Sequence, residues 1–302
     1  MRLQDDPVWP RRPCIFRRLA LTFVAFFMLI SVQAVSSEKD GSDLKIPTYK
    51  PVHIPFRPGQ SLTYRVSWAG IPAAGATIRM RPNDDNPALL TGEINIATNK
   101  LVDVLYRMRD YVRENFAGSS LLPQDVYIRQ SQNRRGDEYV IKFDHQTGVV
   151  DMTRRTPHKT EHAKFHSPSP LGPISGPLMA LSQPLEVGHT LLFDVFVGEN
   201  RYVIALKVEQ RERIRTTLGV FNAVRITPTM VYLSNNQARG KAREITVWVS
   251  DDDRRLPLRV QAEAFFGYVI AELVQVADID IPESKDHLLA APAASPSPSP
   301  AP

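Results

Sequence analysis

The sequence predicts an all-β domain built on a curled antiparallel sheet, half-barrel, spiral or barrel-like, with one or two short helices. Three observations predict it. Apolar and polar residues alternate over many short segments, turn formers fall between those segments, and few windows have helical spacing. About a dozen strands is more than one flat sheet sustains, so the sheet should curl or close.

Taken in order, Leu62, Tyr64, Val66 and Trp68 alternate with Thr63, Arg65 and Ser67, which puts one face on a core and the other toward water. The same period recurs at Ala76 to Met80, Glu93 to Ala97, Tyr111 to Phe116, Val126 to Gln130 and Tyr139 to Phe143. It resumes at Leu191 to Val197, Tyr202 to Val208, Val220 to Ile226, Ile245 to Val249, Leu258 to Ala262 and Tyr268 to Val274. Asn83-Asp84, Arg135-Gly136, Thr147-Gly148, Gly198-Glu199-Asn200 and Phe266-Gly267 punctuate the run. Two windows break the period. Asn99 to Asp110 places Leu101, Val104, Leu105 and Met108 at helical spacing behind a capping Asn99, and Pro177 to Leu185 suits a short helix opening on proline. Such a helix, laid against the concave face, would plug or gate the sheet's interior.

Outside this domain, assigned to residues 59–280, composition changes. Residues 1–34 read as a cleaved secretory signal: Arg11, Arg12, Arg17 and Arg18 precede the apolar run Leu19 to Ile30, and Ser31-Val32-Gln33-Ala34 supplies small residues for cleavage. That run is shorter than the roughly 20 residues a membrane-spanning helix needs. The chain of 302 residues carries +5, but without residues 1–34 Lys+Arg falls from 37 to 32 and Asp+Glu from 32 to 30, leaving +2 and no reason to invoke nucleic acid. The one cysteine, Cys14, leaves with the signal, so the mature chain has no disulfide, thiolate metal site or cysteine nucleophile. Residues 35–58, with Pro47, Pro51, Pro55 and Pro58, read as a spacer, and 281–302 as an Ala/Ser/Pro-rich disordered tail. The expected location is the periplasm, with membrane contact only through the signal segment.

Two stretches carry a family resemblance. Phe56 to Met80, FRPGQSLTYRVSWAGIPAAGATIRM, contains P-G-Q-x-L-x-Y, and Ile245 to Val274 contains W-x-S-D-D-x-R-R-L-P. In that order they resemble the two ends of the DUF3108 family of exported bacterial proteins. The resemblance implies a periplasmic all-β protein with a curled sheet, distantly like envelope lipid or lipoprotein carriers. It brings no activity and no catalytic residues.

No Gly-x-Ser-x-Gly elbow, phosphate loop or His-Glu-x-x-His is present, and no cofactor is expected. His158, His162 and His166, spaced by four, sit among Pro157, Pro168 and Pro170 and are expected in a solvated loop that holds no metal. Asp251-Asp252-Asp253, followed by Arg254 and Arg255, is expected to be a turn. Arg107, Arg109 and Arg113, and Arg211, Arg213 and Arg215, are expected on a solvated outer face with Glu114, Glu209 and Glu212 as counter-charges. The expected function is non-enzymatic: Tyr64, Trp68, Tyr202, Trp248 and Tyr268, with Phe265 nearby, line a concave surface that binds a lipid-like ligand or an envelope protein partner. The alternative is an envelope scaffold without a cavity; a hydrolase would need a cleft of convergent polar groups.

Overall fold

In the computed structural model the described residues are 46–278, apart from 134, 235–236, 242–244 and 265; along 231–241 only the backbone is described. The expected signal, the first part of the spacer, the tail and Phe265 lie outside them.

A first run of strands comprises β1 (Gln60–Trp68), β2 (Ile71–Pro82), β3 (Leu89–Thr98), β4 (Met108–Ala117), β5 (Pro123–Gln132), β6 (Arg135–Asp144), β7 (Val149–Arg155) and β8 (Thr160–His166), with α1 (Lys100–Asp103) between β3 and β4. The two-residue β9 (Pro170–Leu171) and helix α2 (Ser175–Leu181) lead into the second run. That run is β10 (Thr190–Val197), β11 (Asn200–Thr216), β12 (Gly219–Ser234), β13 (Gln237–Lys241), β14 (Ile245–Ser250), β15 (Pro257–Glu263) and β16 (Tyr268–Asp278). All of these strands belong to one sheet, ordered β8-β7-β6-β5-β4-β3-β2-β1-β16-β15-β14-β12-β11-β10-β9, with β13 beside β12. Its first and last full strands meet in the middle: Gln60 pairs with Asp278 and Trp68 with Val269. Apart from the parallel β9–β10 contact, neighbours are antiparallel, as short turns demand.

The sheet curls until its two ends meet through side chains. Arg154 on β7 bonds Glu199 in the β10–β11 turn at 2.7 Å, and Ser167 Oγ donates to Asp194 on β10 at 2.5 Å. Phe165 and Phe143 pack on Phe196, with ring centroids 5.7 and 6.3 Å apart. Inside, Tyr64, Phe116, Phe193, Met108 and Met179 are fully buried. Helix α2 lies against the concave face of β3 and β4, where the absent side chain of Gly92 leaves room for Ile174.

Residues 46–58 form no strand, but they pack. Tyr49 lies against Phe193 at 4.7 Å, and Phe56 meets Phe116 edge-on. On the outer side, the long β11–β12 ribbon bends at a bulge between Val208 and Gln210. Its tip then lies over β15, β16 and β1: Thr217 donates to Glu272, Arg65 donates to Thr217, and Arg259 donates to the carbonyl of Arg215.

Three expectations need correction. The helix behind Asn99 spans only Lys100–Asp103, because Met108 already belongs to β4 and is buried there; Leu101, Val104 and Leu105 face solvent. Asn99 does cap it, accepting from the Val102 N–H at 2.9 Å. The histidine segment is not a loop: His162 and His166 lie on the exposed side of edge strand β8, and only His158 lies in its turn. A polar outer face suits an edge strand, which otherwise invites pairing with another chain. Finally, Glu114 is no surface counter-charge, since the period of β4 turns it inward with Met108, Val112 and Phe116.

Candidate functional site

The five aromatic residues singled out from the sequence do not converge. Tyr64 is buried, and its hydroxyl donates to the carbonyl of Pro257 at 2.9 Å. Tyr202, opposite Val195 on β10, is also buried. Trp248 lies on the outer face with its cross-strand neighbours Arg225 and Arg259, and its Nε1 donates to Glu212 of the overlying ribbon at 2.8 Å. Trp68 and Tyr268 alone are exposed, both at one end of the sheet, where Trp68 lies opposite Val269, the residue after Tyr268.

Most of the charged groups singled out from the sequence have structural partners. Asp252 accepts from Ser250 and Arg254, and Asp251 from Arg211, so the acidic run makes the β14–β15 turn. Arg109 pairs with Asp103 at 2.6 Å, and Arg113 lies over the Tyr127 ring. Lys207 pairs with Glu209. Among the described residues no group of three or more His, Cys, Asp or Glu side chains is placed to hold a metal ion.

Sequence reasoning missed the buried acids. Glu114 accepts from the N–H of Ile174 at 2.6 Å and of Ser175 at 3.1 Å, fixing the entry of α2. Gly172 makes that approach feasible, for a Cβ there would stand 2.5 Å from the carboxylate. Burial pushes Glu114 up to about 7 against these bonds, which favour the ionised form. Burial likewise pushes Asp110, held by Ser131 and Gln132, up to about 6. Asp194 is met by Arg201 at 2.7 Å and by Ser167. The readable signal was the strand period itself: once Met108, Val112 and Phe116 share a face, Asp110 and Glu114 must share it too.

Two surface features remain. One is an open depression of about 560 Å³ lined by Gln124, Asp125, Lys142, Phe143, Asp144 and His145 among others. The second is an apolar rim at the end of the sheet opposite Gln60 and Asp278, formed by the β1–β2 turn, α1 and the β15–β16 turn. Leu101, Val104 and Leu105 are 70%, 82% and 88% exposed there, beside Trp68, Ile71, Phe266 and Tyr268.

With this geometry in hand, comparison with known proteins locates the chain. The model of a family described as protein of unknown function, DUF3108, matches residues 63–274. No curated protein matches it. A crystal structure of a β-barrel-like protein of domain of unknown function DUF1849, from Brucella abortus, aligns over 78% of this chain and 100% of its own, with a TM-score of 0.52 and 8% identity. That likeness is one of fold alone. A Parabacteroides distasonis protein provisionally named a lipoprotein aligns over 76% of this chain and all of its own at 10% identity, with a TM-score of only 0.31.

Proposed function

We propose, from the premise that the chain belongs to the DUF3108 family of proteins of unknown function, that it is an exported, non-enzymatic envelope protein that binds on its outer surface. It does not carry a ligand inside the sheet. The observation that carries this reading is the filled interior: Tyr64, Phe116, Phe193 and Phe196 are fully buried, and α2 with Met179 occupies the concave side. The buried acids support the non-enzymatic part, because Glu114, Asp110 and Asp194 are each engaged by backbone or arginine donors. Export to the periplasm rests on the basic stretch, the apolar run Leu19 to Ile30 and the small residues ending at Ala34.

Native mass spectrometry of the protein recovered from the envelope tests the reading. The expected spectrum is the bare polypeptide mass. A lipid bound one to one, released only when the chain unfolds, would overturn it in favour of an interior carrier site.

A further inference from the structure

The apolar rim is too large and too well held to be incidental. We propose that it is a membrane-docking surface, which seats its apolar side chains among the headgroups of an anionic bilayer. This rests on the surface-binding reading above and names the surface's partner.

The rim is continuous. Asn99 donates through its backbone to the carbonyl of Ala73 and through Nδ2 to that of Pro72, which joins α1 to the β1–β2 turn. The Ala69 N–H donates to Tyr268, and Trp68 Nε1 to Phe266, which joins that turn to β15–β16. The strands beneath run β4-β3-β2-β1-β16-β15, so the patch spans about 24 Å at the usual strand spacing. It is made of projecting turns, a shape that fits a planar surface.

The apolar side chains are aimed outward by fixed contacts. Asp103 of α1 is tied to Arg109 at 2.6 Å and to Thr98, which turns the polar side of α1 to the sheet and leaves Leu101, Val104 and Leu105 in solvent. Trp68 and Tyr268 are of the type favoured at a membrane interface, where one end of the ring is apolar and the other wet.

Charge specifies the lipid class. Lys100 and Arg107 bracket the apolar residues of α1 and its exit, and both are exposed. The Arg107 backbone N–H donates to Asn133 Oδ1 at 2.9 Å, which brings the exposed Arg135 at the start of β6 to the same side. The one acid of α1, Asp103, is already neutralised by Arg109, and the exposed Glu263, opposite Tyr268 at the β15 side of the rim, is outnumbered by Lys100, Arg107 and Arg135. Apolar insertion flanked by basic residues is the pattern that binds anionic bilayers, and its charge part weakens with salt.

The test uses the full chain carrying Trp9→Phe, leaving Trp68 and Trp248 as its tryptophans. It is mixed with phosphatidylglycerol–phosphatidylcholine vesicles whose acyl chains are brominated. The expected result is quenching of Trp68 emission that disappears in Trp68→Phe and falls by about tenfold in Leu101→Asp/Leu105→Asp, whose substituted residues are exposed. Lys100→Glu/Arg107→Glu should lower quenching on anionic vesicles, and Val187→Asp, exposed at the other end of the sheet, should leave it intact. Because the apolar run Leu19 to Ile30 can tether the chain by itself, quenching at Trp68 is the deciding readout and vesicle binding is not. Unquenched Trp68, or quenching indifferent to the Leu101/Leu105 pair, would overturn the proposal. Self-association lost in that same pair, with Trp68 unquenched, would instead make the rim a protein interface and leave the surface-binding reading standing.

Discussion

Glu114 illustrates how one residue can be fixed by its strand against its own chemistry. An isolated buried carboxylate is expensive, and this one is retained because two backbone N–H groups at the start of α2 would otherwise lack partners. Read as sequence, Glu114 beside Arg113 looks like half of a surface ion pair; only the period shared with Met108 and Phe116 turns it inward. Its carboxyl titrates at about 7 in the fold against 4.5 ordinarily, and that of Asp110 at about 6 against 3.8. The folded chain therefore holds protons that the unfolded chain releases. The stability this contributes is complete below about pH 4 and is lost as pH rises through 6 and 7. For Glu114 it is on the order of 3 kcal/mol. The urea midpoint should accordingly be higher at pH 5 than at pH 8, and Glu114→Gln should remove most of that difference. Midpoints that do not move between the two pH values in the wild type would contradict the buried-acid argument.

At the level of elements, the strands that alternate cleanly were legible, and the misreadings have local causes. Strand β8 alternates Glu161, Ala163 and Phe165 with His162, Lys164 and His166, too polar on both sides to register as a strand beside Pro157. Helix α1 was overestimated because Met108, which completes its helical spacing, is claimed by β4. In β14 both faces carry large apolar groups, which predicts a central strand, and β14 does lie between β12 and β15. What the sequence did not reveal is why the outer face needs Trp248: the β11–β12 ribbon folds over it, and Glu212 accepts a hydrogen bond from its Nε1–H. Trp248→Ala thus loses packing against a second layer and removes one of the two donors to Glu212, the other being Gln210, a cost of about 2 to 4 kcal/mol. Trp68, 42% exposed at a strand end, should cost about 1 kcal/mol on the same change. Urea titration of the two variants checks this, and equal losses would mean that the ribbon does not bury Trp248.

For the whole molecule, the decisive contact is the least local one. Each half of the chain forms its own side of the sheet, β1 to β8 and β9 to β16, and the halves join along β1 and β16, where Tyr64 faces Leu273 and Val66 faces Ala271. Alternation along a strand reports its faces but not its neighbours, so neither this pairing nor the seam of Arg154 with Glu199 could be read before the structure. Leu273 and Ala271 on one side and Tyr64 and Val66 on the other are buried where the two strands pair, so neither half is expected to bury its apolar face alone. The exposed β7–β8 turn around His158 is the place to separate them without cutting the core. Fragments 1–157 and 158–302, expressed together, should co-purify and unfold as one cooperative unit, whereas each expressed alone should show no cooperative transition. Strand β8 then travels with the second fragment and adds a further contact, because it pairs with β7 from Val149 opposite His166 to Arg155 opposite Thr160. A single fragment that unfolds cooperatively by itself would mean that the chain holds two independent cores, and that the β1–β16 pairing joins them without creating either.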